Sequence, residues 1–268
     1  MQTLMIDKVA IHYRWQWVSP SAPVLVFTNS LGTDFRIWDG VVDRLTGHFN
    51  ILLHDKRGHG LSDMSPEPVR MADFISDLEA LIDHHKISSA ILCGLSIGGI
   101  ISIGLAAKRP DLVRAMVLCN TAPKVGTAEG WAERIALVSS GGMASISEMV
   151  LARWFTPGFR SHDNPLYHLA RNMLLRQQPR GYIETCAAIG DTDFRPEARQ
   201  LVVPTLCIAG DHDQATPPEL VAGMAAMIPG SRYHLIRNSG HIPCLEQPGE
   251  LAGLIDEFAA TLASSGGA

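Results

Sequence analysis

Short apolar runs recur along the first half of the chain, separated by stretches whose apolar residues fall at helical spacing. The runs at residues 24–28, 51–55, 91–94 and 113–120 are rich in Val, Ile and Leu and end in loops, the pattern of strands buried on both faces. Residues 9–17 predict an opening strand or hairpin. Between the runs, Met71, Phe74, Ile75, Leu78, Leu81 and Ile82 share one side of a helix over 71–84 that would cover a sheet. Alternating strands and helices of this kind predict a parallel sheet with crossover helices. One uncharged stretch, 90–107, is long enough to suggest a membrane span. Gly94, Ser96, Gly98, Gly99, Ser102 and Gly104 interrupt it, which suits a buried strand, a tight turn and a closely packed helix instead.

After Pro123 the strand-like runs vanish, and residues 124–195 show helical stretches rich in Arg, Met and Ser. Strands return at 201–209 and 232–236, and helices at 218–228 and 250–262. The chain therefore divides into an α/β core, residues 1–123 and 196–268, and a helical cap, residues 124–195. The tail 263–268 has the composition of a disordered end.

Composition narrows the function classes. The 268 residues are 46% hydrophobic and 18% charged, with 22 Lys and Arg against 27 Asp and Glu, a net charge of −5. That gives no footprint for nucleic acid or an anionic membrane. The cap holds eight basic and seven acidic residues and is less negative than the core, which favours a small anionic substrate between them as well as ordinary solvated surface charge. The five cysteines are widely spaced, with no Cys-x-x-Cys pair and no zinc-ligand spacing. Asp7, Lys8 and Arg14 interrupt the N-terminal segment, so no export signal is expected and a reduced, cytoplasmic compartment fits.

The chemistry centres on Gly94-Leu95-Ser96-Ile97-Gly98-Gly99, which follows a strand and opens a helix. Gly-x-Ser-x-Gly in that setting is a nucleophile elbow: the serine sits on a strained turn, and the positions two before and two after it need to lack side chains. The helix that follows directs its N-terminus at the site, where the Ile97 N–H can stabilise an oxyanion. A serine nucleophile needs a base and an orienting acid. The loop Gly210-Asp211-His212-Asp213-Gln214-Ala215-Thr216-Pro217 offers two carboxylates, of which Asp211 also suits the turn after Gly210. Asn238-Ser239-Gly240-His241 follows the last strand and offers the histidine. A second oxyanion donor is expected in Thr28-Asn29-Ser30-Leu31-Gly32-Thr33, at the Leu31 N–H. His84 and His85 suit a helix end, His59 a loop-shaping role and His212 a solvated position. No metal site is expected.

Asn29-Ser30-Leu31-Gly32-Thr33, Arg57-Gly58-His59-Gly60, the elbow, Leu118-Cys119-Asn120-Thr121-Ala122 and Gly126-Thr127-Ala128-Glu129-Gly130-Trp131 together resemble the 3-oxoadipate enol-lactonases of the α/β-hydrolase superfamily. The resemblance runs over essentially the whole chain, cap included. It implies the α/β-hydrolase fold, a mostly parallel eight-stranded sheet with helices on both faces and a helical cap inserted late in the chain. It also implies a catalytic triad of Ser96, Asp213 and His241, and it is what favours Asp213 over Asp211. The activity implied is hydrolysis of an enol-lactone to 3-oxoadipate in the bacterial β-ketoadipate route for protocatechuate and catechol, with no cofactor. The lactone carries a carboxylate, for which Arg134, one helical turn beyond Trp131, is the candidate partner. Trp131 would pack on the lactone; it suits a cap anchor equally, and Arg134 a solvated position. The alternatives are another hydrolase of this fold, such as a carboxylesterase, a perhydrolase or a carbon–carbon bond hydrolase, and a non-catalytic receptor, which an intact triad disfavours.

Overall fold

The computed structural model of the chain describes residues 1–264. Alternating residues at its start form an antiparallel hairpin, Gln2–Ile6 (β1) and Val9–Gln16 (β2), turned at Asp7 and Lys8, which both take positive φ. The buried runs form Val24–Thr28 (β3), Asn50–His54 (β4), Ala90–Leu95 (β5), Val113–Cys119 (β6), Thr205–Gly210 (β7) and Arg232–Ile236 (β8). They assemble into one eight-stranded sheet in the order β1-β2-β4-β3-β5-β6-β7-β8. Pairing is antiparallel from β1 through β2 to β4 and parallel for every other neighbour.

Crossover helices return the chain to the same end of each parallel strand, which is what parallel pairing requires. They are Asp39–Leu45 (α1), Met71–His84 (α2), Ile97–Lys108 (α3) and, after the cap, Arg195–Ala198 and Pro218–Met227, while Pro243–Glu246 and Pro248–Ser264 follow the last strand. Helix α3 packs along β3, β5 and β6 and against α2, while α1 packs on the C-terminal helix. The cap segment between β6 and β7 contributes Ala128–Gly141 (α4), Ala144–Trp154 (α5), Pro165–Leu175 (α6) and Pro179–Gly190 (α7). With the cap helices counted, Arg195–Ala198 is α8, Pro218–Met227 is α9, Pro243–Glu246 is α10 and Pro248–Ser264 is α11.

Several boundaries differ from the sequence reading. The uncharged stretch splits at Ser96 into β5 and α3, and no described helix is long and apolar enough to cross a membrane. Strand β7 begins at Thr205 because Pro204 has no N–H for the ladder; its carbonyl instead accepts from the Met116 N–H at 2.9 Å. Helix α1 has no periodic signal of its own. It follows a 3-10 turn at Phe35–Trp38, where the Asp34 carboxylate accepts the Arg36 N–H and starts the segment. Helix α11 runs through Ala263 and Ser264, into the tail expected to be disordered, and residues 265–268 lie outside those described.

Candidate active site

Ser96 joins β5 to α3 at φ 59° and ψ −121°, a conformation that a non-glycine residue holds only when its surroundings over-determine it. Its N–H donates to Cys119 O on β6, and its carbonyl accepts from the Gly99 N–H and from Thr121 Oγ1 at 2.6 Å. The flanking glycines answer to packing. A methyl at Gly94 would strike the Gly98 carbonyl, and one at Gly98 would strike the Thr28 carbonyl at the end of β3. As the first residue of α3, Ile97 has no partner for its N–H within the helix.

Asp213 and His241 are brought together from the loops after β7 and β8. His241 Nδ1 donates to Asp213 Oδ2 at 2.8 Å, which leaves Nε2 free to take a proton. Both residues are buried. Asp213 also accepts from Thr216 Oγ1 at 2.7 Å, Asn120 Nδ2 at 2.7 Å, and the N–H groups of Ala215 and Thr216. Burial opposes its charge, but the facing imidazole and these donors outweigh it and hold the carboxyl below the ordinary carboxylate range. Asp211 serves elsewhere: it accepts the Ser239 N–H at 3.1 Å and so ties the two loops together, rather than closing the turn after Gly210.

Neither Asn120 nor Thr216 was singled out from the sequence for a role at the site. Asn120 takes φ 47° just past the end of β6, and its amide holds both Asp213 and the Gly240 carbonyl. Thr216 lies three residues beyond Asp213, the spacing at which a hydroxyl can fold back on a turn carboxylate.

A cavity of about 170 Å³ opens over Ser96 and His241, lined also by Ser30, Leu31 and Ile97. The cap supplies its roof. Trp131 anchors through Nε1 to Val125 O at 2.8 Å and still faces the cavity. Arg134 lies 5.4 Å from the Trp131 ring and donates to the Tyr182 hydroxyl at 3.4 Å. Helix α5 adds Val150, Arg153 and Trp154. Arg153 gave no sequence signal, since nothing local separates it from a surface arginine. Ser96 and His241 share this cavity without bonding to one another; such contacts tighten as a substrate binds.

The remaining histidines are placed variously. His212 is exposed, His59 is buried in the loop after β4, and His85 stacks on Trp15. All five cysteines are free and buried.

Comparison with known proteins places this geometry in context. A family model described as the alpha/beta hydrolase family matches residues 25–254. The chain is 32% identical over 246 residues to 3-oxoadipate enol-lactonase 2 of Acinetobacter baylyi, covering 92% of this chain and 91% of that one. The solved enol-lactonase of Burkholderia xenovorans LB400 superposes with a TM-score of 0.92 at 33% identity, covering 97% of this chain and 100% of that one. A pimeloyl-[acyl-carrier protein] methyl ester esterase of Stenotrophomonas maltophilia is 26% identical over 259 residues, 93% of this chain and 98% of that one.

Proposed function

The chain belongs to the α/β hydrolase family and is a hydrolase of ester bonds; from that premise we propose that its substrate is 3-oxoadipate enol-lactone, opened to 3-oxoadipate in aromatic catabolism. The observation that carries this reading is the charge of the cavity. Arg134 and Arg153 line it and, among the described residues, no Asp or Glu does, so a small ester bearing a carboxylate is favoured over a neutral one. At about 170 Å³ the cavity is well below the ~300–1,000 Å³ of drug-sized sites, which suits a single-ring acid. Trp131 and Trp154 offer flat apolar surface to such a ring.

The residues then take the following roles. His241 Nε2 removes the Ser96 proton as Oγ attacks the lactone carbonyl, and Asp213 holds the imidazole in the tautomer that leaves Nε2 basic. The N–H groups of Leu31 and Ile97 hold the oxyanion. Collapse of the tetrahedral intermediate breaks the ring C–O bond and expels an enolate, which takes the proton from His241 and tautomerises to the ketone. Water, deprotonated by His241, then attacks the acyl-enzyme, and Ser96 leaves with the returned proton.

The test is to generate the enol-lactone in situ and follow its ultraviolet absorbance with wild type and Ser96→Ala, beside a neutral nitrophenyl ester. Fast lactone turnover lost in Ser96→Ala, with poor ester turnover, is expected. Slow lactone turnover with good ester turnover would move the substrate to that of a general carboxylesterase. Arg134→Ala and Arg153→Ala should each raise KM for the lactone far more than for the ester; equal effects on both would remove the carboxylate clamp.

A further inference from the structure

Beneath the loop that carries Leu31 lies a buried cation that the mechanism above does not use. Lys56, just past β4, is 1% exposed and forms no ion pair among the described residues. Its Nζ donates to the carbonyls of Asn29 and Ser30, both at 3.0 Å. Burying an ammonium against neutral carbonyls is costly, which calls for a compensating role. The carboxylates nearest in sequence are occupied elsewhere: Asp34 holds Arg36, and Asp55 holds His12 and the N–H groups of Phe35 and Leu61.

The Ser30 carbonyl belongs to the same planar peptide unit as the Leu31 N–H. No peptide bond among the described residues is cis, so this N–H points opposite to the carbonyl, away from Lys56. Among the described residues the Leu31 N–H has no acceptor, and Ser30 and Leu31 both line the cavity. Thr33 Oγ1 donates to the same Ser30 carbonyl at 2.9 Å. A positive charge on a carbonyl oxygen pulls electron density from the peptide nitrogen and strengthens its N–H as a donor, as hydrogen bonds in a chain polarise one another.

We propose that Lys56 is a positioning residue for the oxyanion hole: its ammonium, bound to Ser30 O, orients and polarises the peptide whose Leu31 N–H stabilises the tetrahedral intermediate. The inference rests on Ser96 acyl transfer with Leu31 as donor, and not on which ester is the natural substrate. The surroundings make it sensitive to pH. Burial lowers the Lys56 pKa to about 7 against the pull of Asp55 and Asp34, while His54 and His59 beside it stay neutral through burial and its charge. Loss of the Lys56 proton as pH rises should weaken the hole and reduce kcat on the alkaline side.

The experiment uses 4-nitrophenyl acetate and the enol-lactone with wild type, Lys56→Met and Thr33→Val, together with a boronic acid that forms a tetrahedral adduct on Ser96. Expected for Lys56→Met is a roughly 10- to 100-fold fall in kcat with KM changed less than about threefold, boronate affinity falling in parallel with kcat, and no alkaline limb. Thr33→Val removes the hydroxyl donor to Ser30 O, leaving the backbone N–H of residue 33 at 3.4 Å and the buried charge untouched. It should lower kcat in the same sense, by roughly threefold or more, and decides the matter if Lys56→Met does not fold. An unchanged kcat in Thr33→Val and in folded Lys56→Met, equal changes in KM and boronate affinity, or an alkaline limb that persists in Lys56→Met would each overturn the proposal. Ester turnover without lactone turnover would refute the substrate reading alone and leave the Lys56 comparison intact on the ester series.

Discussion

Ser96 pays in backbone strain for the place it takes in the wall of the cavity. A residue at φ 59° and ψ −121° costs on the order of 1–3 kcal/mol, which glycine avoids. Ser96→Gly should therefore raise the denaturant midpoint by an amount equivalent to about 1 kcal/mol or more while abolishing turnover; an unchanged or lower midpoint would show that the elbow is not strained. A second residue sets part of the acid limb of stability. His54 is fully buried, its Nε2 meets Thr28 Oγ1 at 3.2 Å, and burial lowers its pKa from an ordinary 6.5 to about 3. The depressed folded pKa means that its contribution is complete above about 6.5 and is lost as pH falls toward 3, with a slope of up to ~1.4 kcal/mol per pH unit. Denaturation of His54→Gln and wild type across that window should show the variant less pH-dependent by about this slope, and parallel curves would place the imidazole's titration elsewhere.

At the scale of elements, the loop after β4 is fixed to α2 by one buried ion pair. Arg57 donates through Nε and Nη2 to the two oxygens of Asp77, at 2.7 and 2.5 Å, with both side chains nearly excluded from water. This fork holds the segment that begins with Lys56 and continues through Gly58, whose carbonyl accepts Gln177 Nε2 from the cap. Replacing such a pair by apolar residues can be neutral, but removing one partner leaves a buried charge uncompensated. Arg57→Met should cost about 3–5 kcal/mol in urea denaturation, with much of the loss recovered in Arg57→Met combined with Asp77→Leu. Failure of the double variant to recover stability would mean that the loop depends on the fork's geometry and not on its charge balance.

Across the whole molecule, cap and base are joined by Glu246. Its carboxylate accepts the Gly240 N–H, the Thr156 N–H and the Thr156 hydroxyl, while the His241 N–H donates to Trp154 O at 2.7 Å. The end of α5, which lines the cavity through Arg153 and Trp154, is thereby tied to the loop that carries His241. Burial raises the Glu246 pKa against these donors, so acidification protonates it and loosens the tie. Glu246→Ala should speed amide exchange in residues 154–156 and 239–241 together and lower kcat roughly tenfold or more. Faster exchange in only one of the two segments would show that they are not coupled through this carboxylate.

Much of this molecule is legible in local patterns because those patterns are governed by neighbours in sequence. The helix over Met71–His84 and the strands Val24–Thr28 and Arg232–Ile236 emerge at their predicted bounds, since period and turn residues decide them. The elbow is equally local: Gly94, Ser96 and Gly98 lie within five residues, and the Ser-Asp-His order follows the strand order. Local patterns do not carry contacts between distant residues. Asp211 and Asp213 are nearly equivalent in sequence, and only the approach of the β8 loop decides which one faces His241. Asn120 reaches Asp213 from 93 residues away, Glu246 reaches Thr156 from 90, and Lys56 reaches Ser30 from 26. Arg153 becomes a cavity residue only because α5 is laid over Ser96. Sequence determined the architecture and the candidate reacting groups, whose signals are short-range; tertiary structure decided their partners and the charge of the cavity, because packing joins residues that no sequence period relates.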